Sequence, residues 1–417
     1  MKVLVLGAGF AGVTAAYVLA SRGHEVEVID QEHGPSEQCS YANGAQLSYT
    51  HAEPWANPGA IPKVLKWMFR EDAPLVFKFR PEIHMMKWGM KFLRNCTTAR
   101  AQEHCEVMLR LGMHSKGKTH QIINETGIDF DHQKNGILHI FTDDKEMAGA
   151  VKQAHYQETL GLGCKEHVLD SKAKVLQQEP TLAGANKEII GGIYSDIDES
   201  GDIYLFTKHL AEFCEKHLGV TFHYDTNIAW MREDKGEISR VETSKGHFTA
   251  DSYVMALGSY SAVHLRRVGI DLPIYPMKGY SITVPAWENA PIKSITDGEQ
   301  KIVVSRIGDR IRAAGTAEIA GYNHLIREKR ITPLLNCVQT LYPDATLDQV
   351  KKWACLRPQT PDGPPVVGAT PLSNLYLNTG HGTLGWTQGA ATAYMLADIM
   401  ENRETEISTA GLDMTRY

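Results

Sequence analysis

Near the start of the chain, Gly7-Ala8-Gly9-Phe10-Ala11-Gly12 sets glycines at the spacing G-x-G-x-x-G, a turn whose chemistry is the holding of a pyrophosphate. Val3-Leu4-Val5-Leu6 before it reads as a buried strand and Val13 to Ala20 after it as a helix, the context that the motif requires. Gly7 permits the tight turn, Gly9 lets the backbone approach the phosphates, and Gly12 lets the helix pack close with its N-terminus toward their charge. A second strand, Glu25 to Ile29, ends at Asp30, 18 positions after Gly12 and followed by Gln31. An acid there can hydrogen-bond a ribose hydroxyl and disfavours a 2′-phosphate, which selects FAD or NAD over NADP. Far along the chain, Thr379-Gly380-His381-Gly382-Thr383-Leu384-Gly385-Trp386-Thr387 precedes a small-residue helix from Gln388 to Met400. A glycine turn at a helix start brings backbone N–H groups to a partly anionic ring, such as a reduced flavin. Just upstream, the proline-stiffened loop Leu356 to Gly368 presents one arginine, Arg357. A strand-helix-strand unit without nucleotide stays open at this point.

The elements that position these groups must come from a chain of 417 residues, room for two or three structural units. At 43% apolar and 22% charged it has the make-up of a soluble globular protein, which sets aside collagen-like, disordered and coiled-coil readings. With 43 basic and 49 acidic residues the net charge is −6, so no nucleic-acid partner is expected. Seven cysteines, an odd number with no C-x-x-C pair, read as reduced thiols of a cytoplasmic chain. The histidines show no His-x-x-x-His spacing, so no metal is expected. Val3 to Ala20 is uncharged, but its glycines break it into strand, turn and helix rather than a membrane anchor. A helix at 205–218, strands at 220–224 and 252–257, and alternating strands at 272–284 and 301–315 follow, the last two suggesting an antiparallel sheet facing a cavity.

Residues 54–94 carry eight Lys or Arg against three acids, with Trp55, Trp67, Phe69, Phe77, Phe79 and Trp88 interleaved. Two readings stand side by side: a basic, aromatic face on an anionic bilayer, where electrons could pass to a quinone, or aromatics in a core with the basic residues in water.

The glycine motif, Ser40 to Ser48, Trp55-Ala56-Asn57-Pro58-Gly59, Lys66-Trp67-Met68-Phe69, Leu93-Arg94-Asn95-Cys96, Gly258-Ser259-Tyr260-Ser261, Pro276 to Ser281, Leu356-Arg357-Pro358 and Asn378 to Trp386 together resemble the FAD-dependent amino-acid and amine oxidoreductases of the D-amino-acid oxidase superfamily. The likeness runs the whole length and is greatest to the superfamily's bacterial dehydrogenase branch. It implies an α/β fold: a Rossmann-like FAD-binding domain of the glutathione-reductase type from 1–50, 197–271 and 352–417, and a substrate domain built on a mixed or antiparallel sheet from 51–196 and 272–351. It implies oxidative deamination of a free D-amino acid to a 2-oxo acid and ammonia. Hydride would pass from the substrate Cα to flavin N5, and the electrons on to a quinone or the respiratory chain. By the same resemblance Arg357 pairs with the substrate carboxylate. Tyr280, on the sheet expected to cover the flavin's substrate side, is a candidate second contact with cross-strand packing as an equal reading, and Arg306 and Arg310 on the next hairpin are weaker candidates. FAD would be held by Gly7, Gly9, Phe10, Ala11, Gly12, Asp30, Gln31, Ser40, Asn43, Gly44, Ala45, Gln46, Gly258, Gly380, His381, Gly382, Thr383, Leu384, Gly385 and Trp386. His381 is read as shaping the flavin loop rather than as a base, and a structural tie from Arg357 to Asp362 is the competing use of the arginine. One departure is visible: the family usually reads Ala-Asn-Ala-Gly-Gln where this chain has Ala42-Asn43-Gly44-Ala45-Gln46.

Three other functions compete. An oxygen-using oxidase of glycine, sarcosine or D-proline-type imino acids shares most of these motifs. A silent FAD scaffold would have no need of Arg357 and Tyr280. A nicotinamide-dependent dehydrogenase would leave the Gly380–Gly382 loop without a ring to cradle. Peripheral attachment to the inner face of the cytoplasmic membrane, and assembly into a homo- or hetero-oligomer, are both compatible with the sequence.

Overall fold

The computed structural model describes residues 1–67 and 73–417, organised on two large sheets. Phe69, one of the aromatics of the basic stretch, therefore lies outside the described residues, as does Met68. The first sheet has six strands in the order Val366–Ala369, Leu375–Thr379, Ser252–Met255, Lys2–Leu6, Glu25–Ile29, Thr221–His223. All neighbours are parallel except the edge pair Val366–Ala369 with Leu375–Thr379. Val3 to Leu6 are fully buried, as a central parallel strand covered on both faces must be. On one face lie the helices Phe10–Ser21, Ile203–Leu218 and Gly385–Met400; on the other, a three-stranded antiparallel flap contributes Met231, Ile238 and Val241 to a core with Leu4, Leu6 and Tyr253. Small residues in Gly385–Met400 allow its close approach: a Cβ on Gly389 would stand 2.5 Å from the Phe10 ring. Helix Ile203–Leu218 starts two residues earlier than the periodicity suggests, because the Asp202 carboxylate accepts the Tyr204 N–H and caps it.

The second sheet is mixed and nine-stranded, running Lys351–Gln359, Tyr275–Pro285, Arg310–Ile319, Ile302–Ile307, Ser294–Asp297, Ile137–Phe141, Gly191–Ser195, His167–Leu169, with Leu75–Phe77 also pairing on Arg310–Ile319. Helix Glu328–Leu341 packs on one face around Tyr280, Ile282 and Ile311. Two expectations change here. Arg357 stands on an edge strand rather than in a loop: Pro358 is tolerated because an edge strand leaves one row of N–H positions unused. That strand also belongs to the second sheet, although a boundary at 352 assigned it to the nucleotide unit.

In the basic stretch, Trp88 is buried with Met85 against Tyr275, Met277 and Ile319, and Trp55, Phe77 and Phe92 pack around them. Those aromatics are core. On helix Ile83–Asn95, however, Ile83, Met86, Met90 and Leu93 recur at helical spacing and are all exposed, as is Phe79. Among the described residues no helix is long and apolar enough to cross a membrane.

Candidate functional site

The first sheet's strands release their chain into a single long cleft. Gly7 and Gly9 to Ala11 follow one strand, Asp30 and Gln31 the next, Ala256 to Tyr260 a third, and His381 to Thr383 with Gly385 and Trp386 a fourth, so the lining is gathered at the carboxyl ends of parallel strands. Ser40, Asn43, Gly258 and Arg357 join the same wall.

At one end, Gly7 has φ 111° and carries the turn. Gly12 does not line the cleft; a Cβ there would lie 1.9 Å from the Gly7 carbonyl oxygen, so its role is to let helix Phe10–Ser21 close on the turn. Gly9 precedes that helix and offers no side-chain cap of its own, and no acid stands in the first turn, so no negative side chain of the helix competes with an anion at its positive end. The Ser40 hydroxyl accepts the Phe10 N–H, and Asp30 accepts the N–H groups of Ala8 at 2.6 Å and Glu32 at 2.9 Å. Burial pushes the Asp30 pKa up against those two donors.

At the other end, Gly380 and Gly382 both have positive φ, and Gly382 donates its N–H to the Pro358 carbonyl. His381 is buried, shares a hydrogen bond with the Thr392 hydroxyl at 3.0 Å, and is held neutral by burial, which lowers its pKa to about 4. Trp386 meets Phe10 edge-on at 4.9 Å. Its indole Nε1 and the Asn378 Oδ1 are buried cleft-wall atoms without a hydrogen-bond partner among the described residues. A cradle with an acid-free helix start at one end and orphaned polar atoms at the other fits FAD; Asp30 and Gln31 would face the ribose, Gly9 to Ala11 the pyrophosphate, and the 381–386 segment the ring.

Arg357 faces the cleft with its guanidinium laid over Gly279, where a Cβ would come within 2.4 Å of it. Burial draws its pKa down, and no carboxylate pairs with it among the described residues; the Cys39 and Cys355 thiols are the groups that offset the burial. The competing tie to Asp362 is absent because Arg416 at 2.8 Å and the Tyr417 hydroxyl at 2.6 Å occupy that carboxylate.

Several named residues are not brought to the cleft. Tyr280 is fully buried on the far face of its strand and donates its hydroxyl to Glu318 at 2.6 Å, so the structure withdraws it as a substrate contact. Strand side chains alternate, and the positions of this strand that turn toward Arg357 and the 42–44 loop are Gly279 and Ser281, whose hydroxyl donates to the Ala42 carbonyl. Gln46 spends its amide on Ser294 and Thr296, Leu384 packs in a small core with Met108, and Gly44 fits against Val303, where a Cβ would lie 2.6 Å away. Ala45 and Gly380 stand behind the lining rather than in it. Ala45 adopts φ 63°, the conformation that favours glycine, at the position where the family has one. Arg306 bonds the Gly308 carbonyl and Arg310 pairs with Asp131 and Asp202. Sequence reasoning missed Gln38, Cys39, Thr226, Tyr260 and Cys355 on the cleft wall; the rule that ligands sit at strand carboxyl ends would have pointed to Thr226 and Tyr260.

Comparison with known proteins agrees with this geometry. The D-amino acid dehydrogenase of Paramagnetospirillum magneticum is 44% identical over 421 residues, covering 100% of this chain and 99% of the relative, and that of Allorhizobium ampelinum is 42% identical over 419 residues at 100% and 99%. Among solved structures, glycine oxidase from Bacillus cereus superposes with TM-score 0.75 at 21% identity, covering 97% of this chain and 96% of that one. L-proline dehydrogenase from P. horikoshii gives TM-score 0.77 at 18% identity, covering 100% and 97%. The family described as FAD dependent oxidoreductase, also known as DAO, matches residues 2–399, and this chain belongs to it.

Proposed function

We propose that this enzyme is an FAD-dependent dehydrogenase of free D-amino acids, delivering electrons to a quinone or another respiratory acceptor rather than to oxygen. The observation that carries the reading is Arg357, a buried guanidinium without a carboxylate partner among the described residues, on the wall of an FAD-shaped cleft. The full-length relatives named D-amino acid dehydrogenase support the substrate class. FAD, when bound, supplies the two-electron acceptor for the hydrogen that leaves the substrate Cα.

Arg357 would hold the substrate carboxylate in two parallel charge-assisted hydrogen bonds, which fixes the Cα–H direction. Gly279 is needed beneath it, because any side chain there would displace the guanidinium. His381, neutral and tied to Thr392, positions the 380–386 backbone and takes no proton from the substrate. The substrate, bound as the free amine, would lose the Cα hydrogen with its electron pair to that acceptor and release a proton from nitrogen to solvent water. Water then hydrolyses the imino acid to a 2-oxo acid and ammonia. On this reading the first sheet, with 1–50, 197–271 and the chain after the Arg357 strand, holds the cofactor, while 51–196 and 272–351 face the substrate.

The exposed Ile83, Met86, Met90 and Leu93, on a segment with a net excess of basic residues, support peripheral contact with an anionic membrane surface where a quinone is within reach. The test is anaerobic addition of D-alanine, D-proline, L-alanine and glycine to the purified yellow protein. Bleaching by D-amino acids, with slow return of colour in air and fast return with a soluble quinone, is the expected result. Rapid return in air with peroxide production would make the protein an oxidase instead.

A further inference from the structure

Away from the cleft, three side chains from three separate elements converge: His120 from helix Thr98–Thr126, His132 from the segment before strand Ile137–Phe141, and Glu199 from the short strand Glu199–Ser200. His120 Nε2 lies 2.8 Å and 3.0 Å from the two Glu199 oxygens, and His132 Nε2 lies 2.9 Å from Oε2. One ligand atom from each residue falls within 4.8 Å of the others. The Glu199 side chain is only 4% exposed, whereas His120 and His132 keep 30% and 16% of theirs in contact with solvent. We propose that His120, His132 and Glu199 bind one divalent transition cation of the zinc class, with a fourth position open to water.

The donor set argues for that class. Two neutral imidazoles and one carboxylate suit Zn²⁺ and its neighbours Co²⁺, Ni²⁺ and Cu²⁺, whereas Ca²⁺ and Mg²⁺ want a shell made almost wholly of oxygen. Bond lengths near 2.1 Å place tetrahedral ligand atoms about 3.4 Å apart, so entry of an ion asks the His–Glu contacts to open by roughly half an ångström. A single carboxylate facing two imidazoles gains from one shared divalent charge, which replaces two hydrogen bonds competing for the same group. Support beyond the ligands is present. The Tyr49 hydroxyl approaches Glu199 Oε2 at 3.5 Å, and the His132 ring stacks on Phe130 at 4.7 Å, which fixes its plane. The exposed histidine edges give an ion a path in from solvent.

The site would act as a staple with a view of the flavin. Ser200 pairs with Gln46, the Gly201 N–H donates to the Ala45 carbonyl, and Phe130 meets the Trp386 ring. Joining the three ligands therefore ties helix Thr98–Thr126 and the 130–132 segment to backbone that backs the cofactor cradle. Spacing along the chain gave no warning, since the ligands lie 12 and 67 residues apart.

The experiment titrates chelator-treated holoenzyme with Co²⁺, read by ligand-field absorption to the red of the flavin band, and with Zn²⁺ by calorimetry. The expected result is one equivalent bound with the intense bands of tetrahedral cobalt. In His120→Gln and in His132→Gln, affinity falls roughly 100-fold while the flavin spectrum and far-UV dichroism stay unchanged. Absence of a tetrahedral cobalt spectrum in the unaltered enzyme, or full affinity retained in both variants, would overturn the proposal. Neither outcome bears on the dehydrogenase reading, which bleaching by D-amino acids tests separately.

Discussion

On the proposed function the two sheets would solve the same problem, holding a small molecule, by different means. Around the parallel sheet the proposed recognition would be carried by backbone: a helix start without an acid in its first turn and glycines at positive φ, over a core that is mostly apolar. The mixed sheet instead buries charge. Lys278, Glu318, Arg312 and Arg330 are all within a few per cent of complete burial, and Arg357 faces the cleft with no carboxylate paired to it among the described residues. Backbone recognition tolerates change in most side chains but none at a few glycines. Side-chain recognition depends on which way each strand residue points.

The largest test of that contrast is Gly12→Ala. Its Cβ would sit 1.9 Å from the Gly7 oxygen, so the variant is expected to lose bound flavin, with a cost above about 3 kcal/mol, read from the ratio of visible to ultraviolet absorbance. On the other sheet, Arg357→Ala should leave flavin content intact and weaken substrate capture by roughly 2 to 5 kcal/mol, measured as the apparent dissociation constant for bleaching. If flavin were lost as well, the division of labour would fail.

Buried charge also makes stability depend on pH. Burial raises the carboxyls of Glu166 and Asp198 to about 7, with Thr50 between them. An acid with a raised folded pKa keeps its proton in the folded state while the unfolded chain releases it, so stability should fall as pH rises from about 4.5 to about 7 and level off above. Glu166→Gln should flatten that slope by on the order of 2 kcal/mol, seen in Tm measured across the range. Next in size, Tyr280→Phe should cost about 1 to 2 kcal/mol through the lost bond to Glu318, yet change kcat/KM less than roughly threefold. A large fall in kcat/KM with unchanged stability would return Tyr280 to the cleft. Smallest is Ala45→Gly, expected to stabilise by about 1 kcal/mol or less because it relieves φ 63°.

The same contrast explains what could be read in advance. The glycine turn, Asp30 and the 380–386 loop were legible because backbone recognition leaves its mark in spacing between neighbours. Tyr280 was misplaced because one residue of strand phase separates the cleft face, Gly279 and Ser281, from the far face. Gln46 looked like a flavin contact because it follows Ser40 and Asn43, which line the cleft, yet its partners Ser294 and Thr296 come from a strand about 250 residues later. Cys39 and Cys355, neighbours across the cleft wall, were invisible for the same reason.

Met86 and Met90 lie in the exposed row on helix Ile83–Asn95, and thioethers are oxidised to polar sulfoxides by peroxide. An enzyme that let its electrons escape to oxygen would thus corrode the apolar surface it presents outward. On the proposed function, an acceptor other than oxygen would protect that surface as well as the cell, and the methionine sulfoxide content of aged protein would become a chemical record of how faithfully the electrons were delivered.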